Sequence, residues 1–181
     1  MYYGMRAMLA VHVAAAFFAH LGDGARAEAS LTYGGFTSLV YMTGIAGGFV
    51  ADRILGYQRS IMLGGALMAV GCFMLMAPDL TTFVLGLAVI VVGNGLFKPN
   101  ISTMVGRLYA PDDVRRDSGF TIFYMGINAG GALAPLVCGT LIGARFGYEW
   151  GFFTAGIGML LGLAVFQWRI ARMGEIGRPP V

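Results

Sequence analysis

Gly93-Asn94-Gly95-Leu96-Phe97-Lys98-Pro99-Asn100 lies inside an apolar stretch running from about Thr82 to Tyr109. Phe83 to Val92 precedes it without a charge, and Ile101 to Gly106 follows it without one. A helix rises 1.5 Å per residue, so Lys98 stands roughly 15 Å from the helix end near Leu108, about half of a hydrocarbon core ~30 Å thick. Insertion scales put a lysine at that depth at roughly 2.5–3.5 kcal/mol. From the midplane its ammonium cannot snorkel to the headgroups, so it needs a water-filled cavity or a counter-charge. Pro99 removes a backbone donor and kinks or loosens the helix at the same level. Gly93 and Gly95 let a neighbouring helix come close.

Composition agrees with a membrane reading. Of 181 residues 57% are hydrophobic and 12% charged, and the mean hydropathy is +0.74. These values belong to polytopic membrane proteins, not to soluble domains. The 29 glycines are spread through the apolar runs, which fits close helix packing. A net charge of +3 raises the possibility of nucleic acid, but the basic residues sit singly at the ends of apolar runs, which excludes it as a partner. Cys72 and Cys138 fall within apolar segments and read as buried thiols. The N-terminus has no basic n-region and no small-residue cleavage site.

The pattern divides into six spans: Tyr2 to about Ala19, Leu31 to Ala51, Ser60 to Ala77, the opening stretch, Ser118 to Gly143, and Trp150 to Arg169. Each approaches the ~20 residues that a crossing helix needs, the first being clipped. The links are short, as at Pro78-Asp79-Leu80-Thr81 and Pro111-Asp112-Asp113. Residues 1–173 form the bundle, and 174–181 read as an extended, solvated cytoplasmic tail. If the spans alternate, Arg53, Arg59, Arg107, Arg115, Arg116, Arg169, Arg172 and Arg178 share one side, and only Arg26 and Arg145 take the other. The richer side is cytoplasmic, which puts both ends of the chain there. Arg6 and Lys98 lie within spans, where no Asp or Glu accompanies them. Buried charges pair, so the counter-charges come from a ligand or from protein outside this chain.

Other polar groups reach the same depth. Tyr41 is central in the second span, Asn128 is about ten residues into the fifth, and Tyr124 lies one turn before it. Asn94 is one turn before Lys98 on the same face, and Tyr3 shares a face with Arg6. Two cations and several donors at one level suit a ligand with a carboxylate and peptide-like carbonyls. For Tyr41 alone, packing with its hydroxyl on a backbone carbonyl is the better explanation. For Asn128 alone, an interhelical hydrogen bond does. His12 and His20 read as packing residues. Zinc spacing, a P-loop and a nucleophile elbow are absent, and no acid–base pair falls within the spans, so an enzyme is not indicated.

Four pieces resemble the proton-dependent oligopeptide transporter family, the peptide-transporter branch of the major facilitator superfamily: Tyr2 to Ala7, Gly47 to Gly56 (GGFVADRILG), Gly93 to Tyr109 (GNGLFKPNISTMVGRLY) and Arg116 to Asn128 (RDSGFTIFYMGIN). The resemblance implies an all-α membrane fold, the N-terminal bundle of six transmembrane helices built as two inverted three-helix repeats. It implies proton-coupled symport of di- and tripeptides, with no cofactor beyond the proton. Lys98 would serve proton coupling and meet the peptide carboxylate end; Arg6 would face that carboxylate; Tyr3, Tyr41, Tyr124 and Asn128 would line the peptide. Asp52, Arg53 and Arg59 would form a conformational latch at the cytoplasmic side. The implied home is the plasma (inner) membrane, crossed several times.

The chain departs from the family in three ways. The family's Glu-x-x-Glu-Arg motif would stand just before Met1, a second six-helix half is not represented, and Ala129-Gly130-Gly131-Ala132 replaces a bulkier stretch. The expectation for these residues alone is therefore weak or absent transport. The rival readings are a truncated or split gene product without activity of its own, and a carrier of nitrate or another organic anion.

Overall fold

The computed structural model describes residues 2–19, 24–170 and 172–178, with backbone alone at positions 3, 4, 7, 25 and 26. His20 lies outside the described residues. Helix α1 is Tyr2–Ala16, and α2 is Ala25–Val50, continued by a wider π-helical segment, Ala51–Leu55. Helices α3 (Gly56–Met74) and α4 (Leu80–Arg107) follow. Helix α5 is Arg115–Ala134, continued by a second π-helical segment, Pro135–Gly143, and the single turn α6, Ala144–Phe146. Helix α7, Tyr148–Ile170, closes the bundle. All regular structure among the described residues is helical.

Among the described residues, four helical stretches are long and apolar enough to cross a membrane: Ala27–Met74, Leu80–Arg107, Arg115–Phe146 and Tyr148–Ile170. The first is 48 residues long and takes in both the second and the third expected spans. The loop expected between them at 52–59 is instead wound into the π-helical segment and the first turn of α3. The chain changes direction there at Gly56, whose φ of 74° is open to glycine and strained for other residues. Helix α4 begins on Asp79, whose carboxylate accepts from the Thr82 N–H at 2.7 Å and satisfies one orphan donor of the first turn. Between α4 and α5, Asp113 accepts from Arg115 Nη2 at 2.8 Å, which holds its carboxyl down to about 2.

A seam of glycines joins α2, α3 and α4. A β-carbon on Gly64 would sit 2.6 Å from the Gly93 carbonyl oxygen, and one on Gly93 would sit 2.6 Å from that of Gly64. One turn-pair along, Gly71 faces Gly86, with the corresponding separations 2.8 and 3.1 Å. The antiparallel α3 and α4 therefore meet backbone to backbone at two levels. Gly47 of α2 is tighter still: a β-carbon there would lie 2.0 Å from the Gly95 carbonyl oxygen. That oxygen is the one left without its i+4 donor by Pro99. Asn100, 1% exposed, fastens the junction by donating to Gly47 O at 3.2 Å and Leu96 O at 2.7 Å. Thr43 Oγ1 donates across to Val91 O at 3.1 Å.

Two apolar clusters flank this seam. The larger joins Met5, Met8, Phe36, Leu75, Phe83 and Phe152 with their neighbours, and includes the buried side chains of Cys72 and Cys138. His12 is buried among Phe17, Phe83, Tyr148 and Phe152 at ring-centroid distances of 5.2–6.2 Å. The smaller cluster, Ala51, Tyr57, Ile61 and Met104, closes the other end. The outer surface is apolar, with Ile45 83% exposed and Ile122 70%. Such a surface is stable against acyl chains and costly against water. Helix α5 is the least enclosed: β-carbons at Gly126 and Gly130 would meet nothing within 4 Å.

The segment after α7 does not run out into solvent. Residues 172–178 turn at Gly174 (φ 59°) and Gly177 (φ 79°) and return to α3. The Gln58 N–H donates to Gly177 O at 2.9 Å, and Gln58 Nε2 donates to Ile176 O at 2.7 Å. The first of these satisfies an otherwise orphaned donor of α3's opening turn. Gln58→Ala removes the side-chain tie, so tryptic cleavage after Arg172 is expected to rise several-fold; an unchanged digestion rate would show that the backbone bond holds the segment alone.

Candidate functional site

Lys98 and Tyr41 meet across α4 and α2. The Lys98 ammonium lies 4.9 Å from the centroid of the Tyr41 ring, and both residues are exposed. A cation over a tyrosine face gains about 0.5–1 kcal/mol at an exposed site, less than its burial in lipid would cost. Arg6 is held differently. Its Nη2 donates to the Tyr33 hydroxyl at 2.7 Å, and the guanidinium lies 5.5 Å from the Tyr33 ring and 5.7 Å from that of Tyr2. Its buried Nε has no hydrogen-bond partner.

A cleft of about 330 Å³ opens beside Lys98. Lys98, Asn94, Tyr2, Phe123 and Tyr124 are among its walls, so α1, α4 and α5 all contribute. Asn94 is 3% exposed, as a residue one turn from Lys98 on the packed side of α4 should be. Tyr124 is 54% exposed and stacks on Phe120, with the centroids 6.4 Å apart. Asn128 lies one turn further along α5, exposed, and is not among the residues lining this cleft. Tyr3 is on α1, but its side chain lies outside the described residues. Among the described residues neither Lys98 nor Arg6 has a carboxylate partner; the ion pairs there are Arg115–Asp113 and Arg178–Glu175.

At the other end of α4 a second polar group forms around the π-helical segment. The Tyr57 hydroxyl donates to Asp52, and Arg107 Nη2 donates to the same hydroxyl at 2.8 Å with its guanidinium 4.4 Å from the ring centroid. Arg53 lies over Phe49 at 4.9 Å, and Arg59 is exposed. Asp52 thus joins α4 through Tyr57, a residue its letter alone did not recommend. Tyr33 was missed in the same way. Its spacing of eight from Tyr41 places both on nearly one face of α2, which was a usable signal.

The POT family model matches residues 58–168. The di-/tripeptide transporter of Lactococcus lactis subsp. lactis (strain IL1403) is 45% identical over 183 residues, covering 99% of this chain and 37% of the relative. The peptide transporter YePEPT of Yersinia enterocolitica is 43% identical over 175 residues, covering 92% of this chain and 33% of the relative. A crystal structure of a mutant peptide transporter POT in complex with alafosfalin superposes with a TM-score of 0.87 at 41% identity, covering 99% of this chain and 38% of that one. The chain spans little more than a third of the length of these proteins.

Proposed function

We propose, from the premise that this chain belongs to the POT family, that it forms the N-terminal half of a proton-coupled symporter of di- and tripeptides. In this reading the half consists of six membrane-crossing helices in two inverted three-helix repeats, α1 to α3 and α4 to α7. Both ends of the chain face the cytoplasm of a cell whose plasma membrane it crosses. A second half, of the kind the longer relatives carry, completes the cavity wall and supplies the acid that competes for Lys98. The site needs no cofactor, since the coupling ion is the proton.

One observation carries the proposal: Lys98 and Arg6 stand on tyrosine faces with no carboxylate partner among the described residues, and Lys98 and Tyr2, the ring beside Arg6, line a cleft that reaches α5. A peptide carboxylate would complete the pairing that burial demands, and the orphaned Arg6 Nε is a ready donor for it. Protonating a competing acid would release Lys98 for that carboxylate, which couples proton to peptide. Tyr41, Tyr124, Asn128 and Tyr3 would line the peptide. Asp52, with Arg53 and Arg59 nearby, would bias the access state from the cytoplasmic end, as one half rocks against the other about the site.

The test is uptake of radiolabelled dialanine by proteoliposomes holding the protein that carries this chain, under an inward proton gradient, with nitrate in a parallel series. Dialanine is expected to accumulate and to be lost on addition of a protonophore. Accumulation of nitrate alone would transfer the proposal to organic and inorganic anions, and gradient-independent dialanine entry would remove the coupling.

A further inference from the structure

We infer that the Arg107 end of the bundle holds a binding site for a phosphate group, formed by Arg107, Arg116 and Arg178. These residues come from α4, α5 and the segment after α7, yet they line one cleft of about 780 Å³. Glu175 is the acid on that lining, and its carboxylate is engaged by Arg178 Nη1 at 2.5 Å. Arg115, next in sequence to Arg116, is neutralised by Asp113 outside the cleft. Arg107 spends its bond on the neutral Tyr57 hydroxyl. On its own lining the cleft keeps two positive charges in excess of its acid; Asp52, in an adjoining cleft with Arg107 and Arg178, offsets one of them.

Arg116 is placed where a cation is least comfortable. It sits in the first turn of α5, at the positive end of that helix's dipole. An anion bound in front of this turn would reverse the sign of that interaction, although the Arg115 and Arg116 backbone N–H groups are already taken by Asp113. Three guanidinium groups suit the several oxygens of a phosphate better than the two of a carboxylate, which one arginine fork can satisfy. Pro111, Phe120 and Ile176 add an apolar wall beside the arginines, fitting the uncharged remainder of a phosphate ester. An occupant would also tie the segment carrying Arg178 to α4 and α5.

The phosphate has two possible sources, an anionic phospholipid headgroup and soluble phosphate. The site stands without the orientation proposed above; only its assignment to the cytoplasmic leaflet rests on that reading. The experiment uses the protein that carries this chain, purified in neutral detergent at low salt, with the thermal unfolding midpoint read against added phosphatidylglycerol, phosphatidylcholine or inorganic phosphate. Phosphatidylglycerol is expected to raise the midpoint by several degrees and phosphatidylcholine to leave it in place. Arg116→Gln and Arg178→Gln should each remove most of the rise, and Arg169→Gln, a charge-matched change at the same end outside the cleft, should not. A rise with inorganic phosphate as well assigns the soluble source; a rise with the lipid alone assigns the headgroup. The inference is overturned if neither phosphate source acts, or if Arg169→Gln loses as much as the cleft variants.

Discussion

Gly47→Ala is expected to lower bundle stability by about 3 kcal/mol or more, beyond the usual 1–3 kcal/mol of an overpacked site. The added carbon would meet the Gly95 carbonyl oxygen at 2.0 Å and the Gly95 carbonyl carbon at 2.3 Å. Both are backbone, so no rotamer change relieves the clash and α2 must move away from α4. That movement also stretches the Asn100 bond to Gly47 O, which is 3.2 Å at the start. The neighbouring Gly48 supplies the control, because a β-carbon there meets nothing within 4 Å. Gly48→Ala is expected to be neutral or slightly stabilising, since alanine is favoured in helices by up to about 1 kcal/mol. Unfolding in mixed micelles of rising SDS fraction separates the two. Equal midpoints for the two variants would mean that α2 and α4 do not touch at this level. Against a typical stability of about 5–15 kcal/mol, the expected loss is large enough to leave a partly unfolded population.

Lys98→Ala is expected to reduce proton-driven dialanine accumulation to background. If Lys98 meets the peptide carboxylate, one charge-assisted bond of about 1.5–3 kcal/mol is lost, or roughly 10- to 100-fold in affinity. In the proposed mechanism, loss of coupling would act on top of that, because the competing acid would then have no cation to release. Tyr41→Phe offers a comparison: it keeps the ring face under the ammonium, so its effect should be within a few-fold of the parent. Measuring accumulation and dialanine binding in parallel distinguishes the two losses. A Lys98→Ala protein that still concentrates dialanine against a gradient in a pH-dependent way would remove Lys98 from the mechanism.

The parts of the fold that were readable are those written within one helix. Lys98, Pro99 and the glycines around them predict depth, a loosened ladder and a close neighbour from a single stretch, and Gly93 and Gly95 do meet α3 and α2. The register of those meetings was less legible. Gly64 and Gly71 are seven apart, as are Gly86 and Gly93, so the antiparallel pairing was implicit in the spacing once both helices were considered together. Pairings such as Arg6 with Tyr33 or Arg107 with Tyr57 depend on how whole helices approach, and no periodicity within either partner announces them. The expected loop at 52–59 illustrates another limit. Asp52, Arg53 and Arg59 mark polarity at a membrane boundary, but polarity does not distinguish a loop from a wider helical turn ended by one glycine. The segment 172–178 was obscured for the same reason: its two glycines suggest freedom, whereas the structure uses their positive φ to return the chain to Gln58.

The uneven enclosure of the helices has a mechanical consequence. The three helices joined at the glycine seam share backbone contacts that cannot slide, so they behave as a stiff frame. Helix α5 carries Tyr124 and Asn128 but touches that frame lightly, both side chains being exposed. A force applied by a captured molecule will be absorbed first as bending or tilting of α5, while the lysine it presses against stays fixed.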